Sequence, residues 1–145
     1  MFKRILVPTD GSGRSRHAAN AAAELARLSG GAITALHVAP AYKGGPGQNR
    51  GAASAHVTPD DYAEQAGRTA QGYLDEVKAL ADQAGAAFAG HFVLSDFPAE
   101  AILKAAEQYG CDTIVIGSRR ELAESKMGSV AQKVIMDARM PVVVI

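Results

Sequence analysis

Hydrophobic residues follow two alternating patterns along the chain. Short apolar segments of strand length lie between longer segments whose apolar residues recur every three or four positions, as in α-helices. The five predicted strands cover residues 5–7, 33–38, 88–94, 113–116 and 142–145. Four predicted helices separate these strands, and this alternation favours an α/β fold with a mostly parallel sheet and right-handed crossovers. Because several of the strands are wholly apolar, we expect helices on both faces of the sheet.

The first, third and fourth helices each have a distinct sequence signal. The first is predicted over about residues 15–29 and stops at Gly30, a residue type that commonly ends helices. The residues expected on its buried side are Ala18, Ala22, Leu25 and Leu28. Pro98 opens the third predicted helix, and Val130 and Val134 mark the fourth.

A long segment rich in glycine and proline, residues 40–57, separates the second strand from the second helix. It has no apolar period, and loops of this length are often functional or disordered, so we predict a mobile loop. The helix that follows has a clear start. Thr58 can cap it, Pro59 suits its first position, and Asp61 stands three residues after the cap.

The composition narrows the classes of protein to consider. The chain has 145 residues, 48% of them hydrophobic, which predicts a single domain over residues 1–145. Lys and Arg together equal Asp and Glu at 15 each, so the basic excess typical of nucleic-acid binding is missing. A single cysteine, Cys111, excludes an internal disulfide. The apolar runs are too short for a signal peptide or a membrane helix, so we expect a cytoplasmic protein with no membrane partner.

The first candidate site follows the first strand, at residues 9–13. Parallel sheets bind ligands beyond the carboxyl ends of their strands, which directs attention to this turn. Asp10 could accept hydrogen bonds from a ribose hydroxyl or an adenine amino group, and Gly11 and Gly13 would let the backbone approach a ligand. The alternative is that Asp10 and Ser12 only cap the first helix. Arg16 stands where a dinucleotide-binding fingerprint needs its third glycine, which argues against a classical NAD site.

The second candidate site combines Gly117, after the fourth strand, with Gly128 and Ser129 at the start of the last helix. A helix N-terminus offers unpaired N–H groups and a positive dipole end to a phosphate. Arg119 or Arg120 could add positive charge. The alternative is an ordinary loop that enters the helix at a glycine with a serine cap. The sequence has no P-loop motif, which argues against a P-loop NTPase.

Other reactive residue types form no recognisable constellation. The four histidines, His17, His37, His56 and His91, are scattered and lack the spacing of metal ligands, so we interpret them as surface or packed residues. Cys111 precedes a buried strand and is interpreted as a small packing residue. We assign no catalytic residues and no metal site.

Several strings of the sequence resemble one known family. ILVPTDGS at residues 5–12, LHV at 36–38, CDTIVIGS at 111–118, GSVA at 128–131 and MPVVVI at 140–145 occur in the order seen in universal stress proteins. The chain therefore resembles this family over its whole length. The resemblance implies an adenine nucleotide alpha hydrolase-like fold with a five-stranded parallel sheet in the order 3-2-1-4-5 and four helices. It also implies a homodimer, formed through the last strand at residues 142–145.

One branch of that family binds ATP or AMP, and we expect Mg²⁺ to accompany the nucleotide. Carried over by position, Asp10 and Val38 would contact adenine and ribose, and the glycine loops would surround ribose and phosphates. The full set of predicted binding residues is Pro8, Thr9, Asp10, Val38, Gly117, Arg119, Arg120, Gly128, Ser129 and Val130.

The phosphate loop departs from the ATP-binding pattern of the family. Arg120 stands where the second glycine belongs, and the segment between it and Gly128 is two residues shorter than in that pattern. Three functions therefore stay open. The first is an adenine-nucleotide-binding stress-response module with an altered phosphate loop. The second is a dimeric interaction protein whose site has degenerated, and the third is a slow ATPase.

Overall fold

The computed structural model describes residues 1–44, 57–118 and 128–145. The elements within these ranges are, in chain order, β1 (Arg4–Pro8), α1 (Gly13–Ser29), β2 (Ala32–Ala39), α2 (Pro59–Gln83), β3 (Phe88–Leu94), α3 (Pro98–Gln108), β4 (Thr113–Ile116), α4 (Ser129–Asp137) and β5 (Val142–Val144). The strands pair in parallel in the order β3-β2-β1-β4-β5. The predicted α/β fold, with its sheet order 3-2-1-4-5 and four helices, is confirmed.

The central strand β1 is buried on both faces. Ile5 and Val7 point into a core that α1 and α2 cover, whereas Leu6 points into a second core that α3 and α4 cover. All three side chains are fully buried. Successive residues of a strand face opposite sides of the sheet, so a strand with helices on both sides must be apolar at every position. This explains the continuous apolar run from which the strand was predicted.

Helix α1 lies against the sheet through small residues. It begins at Gly13, two residues before the predicted start, and ends at Ser29, followed by the C-cap Gly30 with a left-handed φ of 67°. Its buried residues are Ser15, Ala18, Ala19, Ala22, Ala23 and Ala26. The prediction that Leu28 is buried was wrong, because its side chain is 68% exposed. At 3.6 residues per turn, ten residues rotate the helix by about 1000°, which places Leu28 about 80° away from the direction of Ala18.

The start of α2 has the predicted capping arrangement. The N–H of Asp61 donates to Thr58 Oγ1 at 3.1 Å, and the Asp61 carboxylate accepts from the Thr58 N–H at 3.4 Å. Residues 45–56, most of the predicted mobile loop, lie outside the described residues. The chain on either side of them is tied together: Tyr42 Oη donates to the carbonyl oxygen of Val57, and Tyr62 Oη donates to that of Pro40, both at 2.7 Å.

Two further predictions concern the single cysteine and membrane-spanning helices. Cys111 is buried in the core that α3 and α4 cover, and burial raises the pKa of its thiol. It therefore acts as a small packing residue. None of the helices in the three described ranges combines the length and the apolar character that crossing a membrane requires.

Candidate functional site

A cleft of about 440 Å³ opens at the carboxyl edge of the sheet, between the ends of β1 and β4. Strand β1 pairs with β2 on one side and with β4 on the other, so the direction in which the sheet grows reverses here. Such a switch point leaves a crevice that parallel α/β proteins use for ligands. The cleft is lined by Pro8, Thr9, Asp10, Ser12, Arg14, Ser15, Leu36, Val38, Pro98, Ile102, Ile116, Gly117, Gly128, Ser129, Val130 and Ala131.

The first wall of the cleft is the turn between β1 and α1. The N–H of Thr9 donates to the carbonyl oxygen of Leu36 at 2.8 Å, which holds the end of β1 against β2. Gly11 has a φ of 76°, and a Cβ added there would lie 2.2 Å from Cε1 of Tyr73. The turn therefore requires glycine for its own conformation and for packing. Gly11 and Gly13 are not among the residues that line the cleft, and their approach to a ligand stays a prediction.

Asp10 and Ser12 have different roles within this turn. Ser12 is the N-cap of α1, and its Oγ accepts the N–H of Ser15 at 3.2 Å. Asp10 does not cap the helix; its Oδ1 accepts the N–H of Ser12 at 2.9 Å. Burial disfavours ionisation of Asp10, but hydrogen bonds from Ser12 and Ser15 and the charge of Arg14 outweigh it and hold its pKa below the usual value. The cleft thus contains a fixed, ionised hydrogen-bond acceptor.

His37 of β2 makes a hydrogen bond to the turn between β1 and α1. Its Nδ1 lies 2.8 Å from the carbonyl oxygen of Thr9, and because a carbonyl can only accept, Nδ1 carries the proton. The imidazole ring is buried and meets the ring of Tyr73 edge to face at 5.1 Å between centroids. His37 is therefore a packed residue, as predicted, but it also positions the residue before Asp10. His56, which was interpreted in the same way, lies outside the described residues.

The second wall comprises the end of β4 and the start of α4. A Cβ added at Gly117 would lie 2.6 Å from the carbonyl oxygen of Arg14, so glycine lets the end of β4 touch the first turn of α1. Gly128 is the N-cap of α4 and provides no side-chain cap; Ser129 is the first helical residue rather than the cap. The alternative of a serine cap was wrong, because the helix begins one residue earlier than that reading requires.

The structure brings most of the predicted binding residues into one place. The predicted residues that line the cleft are Pro8, Thr9, Asp10, Val38, Gly117, Gly128, Ser129 and Val130. Arg119 and Arg120, together with the shortened segment at residues 121–127, lie outside the described residues. The two candidate sites found in the sequence are thus opposite walls of the same cleft.

Sequence reasoning missed other residues of the lining. Leu36 and Ile116 stand at or near the carboxyl ends of β2 and β4, where the rule for parallel sheets would have found them. Pro98 and Ile102 enter from α3, and Arg14 from α1, because these helices pack over the end of the sheet. No local signal in the sequence marks these three residues as part of a binding cleft.

Comparison with known proteins agrees with this geometry. The sequence model of the universal stress protein family matches residues 1–145. The chain belongs to the universal stress protein family. A universal stress protein of Methanocaldococcus jannaschii is 30% identical over 149 residues, covering 100% of this chain and 82% of that protein.

Solved structures of this family have the same fold. A family member from Burkholderia pseudomallei superposes with a TM-score of 0.78 at 28% identity, over 99% of this chain and 96% of that one. The universal stress protein of Archaeoglobus fulgidus in complex with dAMP superposes with a TM-score of 0.66 at 26% identity, over 97% of this chain and 95% of that one. Some members of the family therefore bind adenine nucleotides.

Proposed function

We propose that this protein is a stress-response module that binds ATP or AMP in the cleft between β1, β4 and α4. The observation that carries the proposal is the convergence of two separate sequence sites, residues 8–10 and 128–130, on one cleft. The volume of about 440 Å³ falls within the range of small-molecule sites. The dAMP complex of the Archaeoglobus fulgidus relative supports the choice of an adenine nucleotide.

The residues that line the cleft suit different parts of a nucleotide. Leu36, Val38 and Ile102 offer an apolar surface that suits the planar base, and the Asp10 carboxylate of the same lining can accept from a ribose hydroxyl or the adenine amino group. Ser129 and Val130 also line the cleft, and they begin α4. The first N–H groups of a helix have no partner within it, so this end can receive phosphate oxygens. With ATP, Mg²⁺ would bind chiefly through the phosphates.

We propose binding rather than fast catalysis. A general base works best with a pKa near the working pH, and the pKa of Asp10 is held below its usual value. One oxygen of Asp10 also accepts the Ser12 N–H, which fixes the carboxylate as an acceptor. A slow ATPase is the alternative within this function. If it were correct, release of phosphate would be faster for the wild type than for Asp10→Ala.

Calorimetric titration with ATP and with AMP tests the proposal. We expect binding in the micromolar range or weaker that the double variant Gly128→Val, Ser129→Ala abolishes, because the valine side chain would occupy the space beside α4. Gln132→Val is the matched control: it changes an exposed position of the same helix that does not line the cleft. If the wild type bound neither nucleotide, the degenerate interaction protein would become the better explanation.

We also propose that the protein forms a cytoplasmic homodimer through its last strand. Strand β5 is an edge of the sheet, so one side of its backbone is unpaired. The apolar residues Ile135, Met136 and Ile145 are exposed at 39%, 75% and 38%. Light scattering on the sample used for titration would give the mass of a dimer, and a monomer mass would contradict this part of the proposal.

A further inference from the structure

Arg14 is a charged residue of the cleft that the sequence motifs do not include. It stands in the first turn of α1 and is exposed. A Cβ added at Gly117 would lie 3.3 Å from Arg14 Cβ, so this side chain leaves the helix beside the end of β4. Arg14 therefore enters the cleft on the side of Gly117, one of the glycine positions that the family resemblance assigns to ribose and phosphates.

The guanidinium of Arg14 is not committed to another group in the described structure. Two positions along the same helix, Arg16 is committed: its Nε pairs with Glu76 at 3.0 Å and its Nη2 donates to the carbonyl oxygen of Gly11 at 2.9 Å. For Arg14, no carboxylate of the described residues lies within ion-pair distance. Its charge still reaches Asp10, whose ionised form it favours. Within the described ranges, Arg14 is thus a cation at the cleft whose guanidinium makes no ion pair.

We propose that Arg14, among the described residues of the cleft, makes it prefer phosphorylated adenosine over adenosine itself. This inference rests on the proposed function and adds the group that recognises phosphate. The charged side chains of the described lining are Asp10 and Arg14, of opposite sign. A phosphate is repelled by the first and attracted by the second, so the pair orients a nucleotide with its phosphate toward Gly117.

Arginine has the right chemistry for this selection. Its planar guanidinium donates two parallel N–H bonds to phosphate oxygens, and charge-assisted bonds of this kind are stronger than neutral ones. The N-terminal turns of α1 and α4 both line the cleft and add their positive dipole ends. Adenosine lacks the charge that these groups attract, so Arg14 contributes to AMP binding and not to adenosine binding.

The test is titration of AMP and adenosine into the wild type, Arg14→Gln, Arg14→Lys and the control Arg27→Gln. Arg27 lies in the last turn of the same helix and pairs with Glu24, so this control removes the same charge away from the cleft. We expect Arg14→Gln to weaken AMP binding about tenfold, with adenosine affinity unchanged within about twofold. Arg14→Lys retains the positive charge but not the two parallel N–H donors of the guanidinium, so its AMP affinity should lie between those of the wild type and Arg14→Gln.

The ratio of AMP to adenosine affinity separates the possible outcomes. A ratio that falls in Arg14→Gln and stays constant in Arg27→Gln supports the inference. An unchanged ratio in Arg14→Gln overturns it while leaving nucleotide binding intact. Equal weakening of both ligands also overturns it, because Arg14 would then only support the shape of the cleft. If the wild type binds neither AMP nor adenosine, the proposed function fails and this inference fails with it.

Discussion

The two walls of the cleft are built in opposite ways. In the β1–α1 wall, polar groups are bonded to one another: Asp10 to the Ser12 N–H, Ser12 to the Ser15 N–H, and Thr9 to His37. In the α4 wall, the N-cap Gly128 offers no side-chain bond to the first turn. One wall is therefore pre-organised by the protein, whereas in the other the described N-cap residue leaves helix N–H groups that a ligand or water can satisfy. Substitutions of Gly11 and Ser12, which shape the first wall, should act on stability, and substitutions of Gly128 and Ser129 in the second wall should act on binding.

Gly11→Ala should have the largest effect. The left-handed φ of 76° is unfavourable for alanine, and the new Cβ would lie 2.2 Å from Tyr73 Cε1. Strain and overpacking together should lower the free energy of unfolding by about 2–4 kcal/mol. Gly13→Ala is the control, because an added Cβ meets no atom within 4 Å there and the position is helical. Urea denaturation would measure the free energy of unfolding of both variants. Equal values for Gly11→Ala and Gly13→Ala would contradict the prediction.

Two serine substitutions separate the walls directly. Ser12→Ala removes the N-cap of α1 and should lower the free energy of unfolding by about 1 kcal/mol. Ser129→Ala removes no cap, so its stability should stay within about 0.5 kcal/mol of the wild type while its AMP affinity falls. Urea denaturation and calorimetry on the same preparations test this. The distinction between the walls would be wrong if Ser129→Ala were the less stable variant.

The smallest expected effect is the pH dependence that Asp10 produces. Because its pKa is lower in the folded protein than the usual 3.8, the ionised carboxylate stabilises the fold above that pH. The contribution is lost as the pH falls below 3.8 and through the lowered folded value. The stability difference between the wild type and Asp10→Asn should therefore be present near neutral pH and shrink in acid. A difference that grew in acid would mean that folding raises the pKa of Asp10.

Much of the fold could be predicted because local patterns and buried positions coincide. The strands at residues 88–94 and 113–116 were predicted with their observed bounds, and the capping box of α2 was legible in the order of Thr58, Pro59 and Asp61. One error occurred where a helical pattern was extended too far along the chain. Leu28 was assigned to a buried face although its angle around α1 points it into solvent.

For the candidate site, the sequence predicted the local turns but not the contacts that distant elements make with them. Each wall was recognisable from a local string, because turns and helix starts use particular residue types at particular spacings. What the strings could not reveal was the contribution of distant elements. Tyr73 explains why Gly11 is glycine, and Arg14 explains Gly117, yet neither partner is adjacent to the residue that it constrains.

The sequence by itself determined the alternation of strands and helices, the capping box of α2 and the two turns that carry Asp10 and Gly128. These features depend on periodicity and on bonds between residues close in the chain. The tertiary structure alone decided that the two turns face each other across one cleft, that His37 and Tyr73 support the first of them, and that Arg14 enters beside Gly117. The physical reason is that such contacts join residues far apart in sequence, and only the packing of helices on the sheet brings them together.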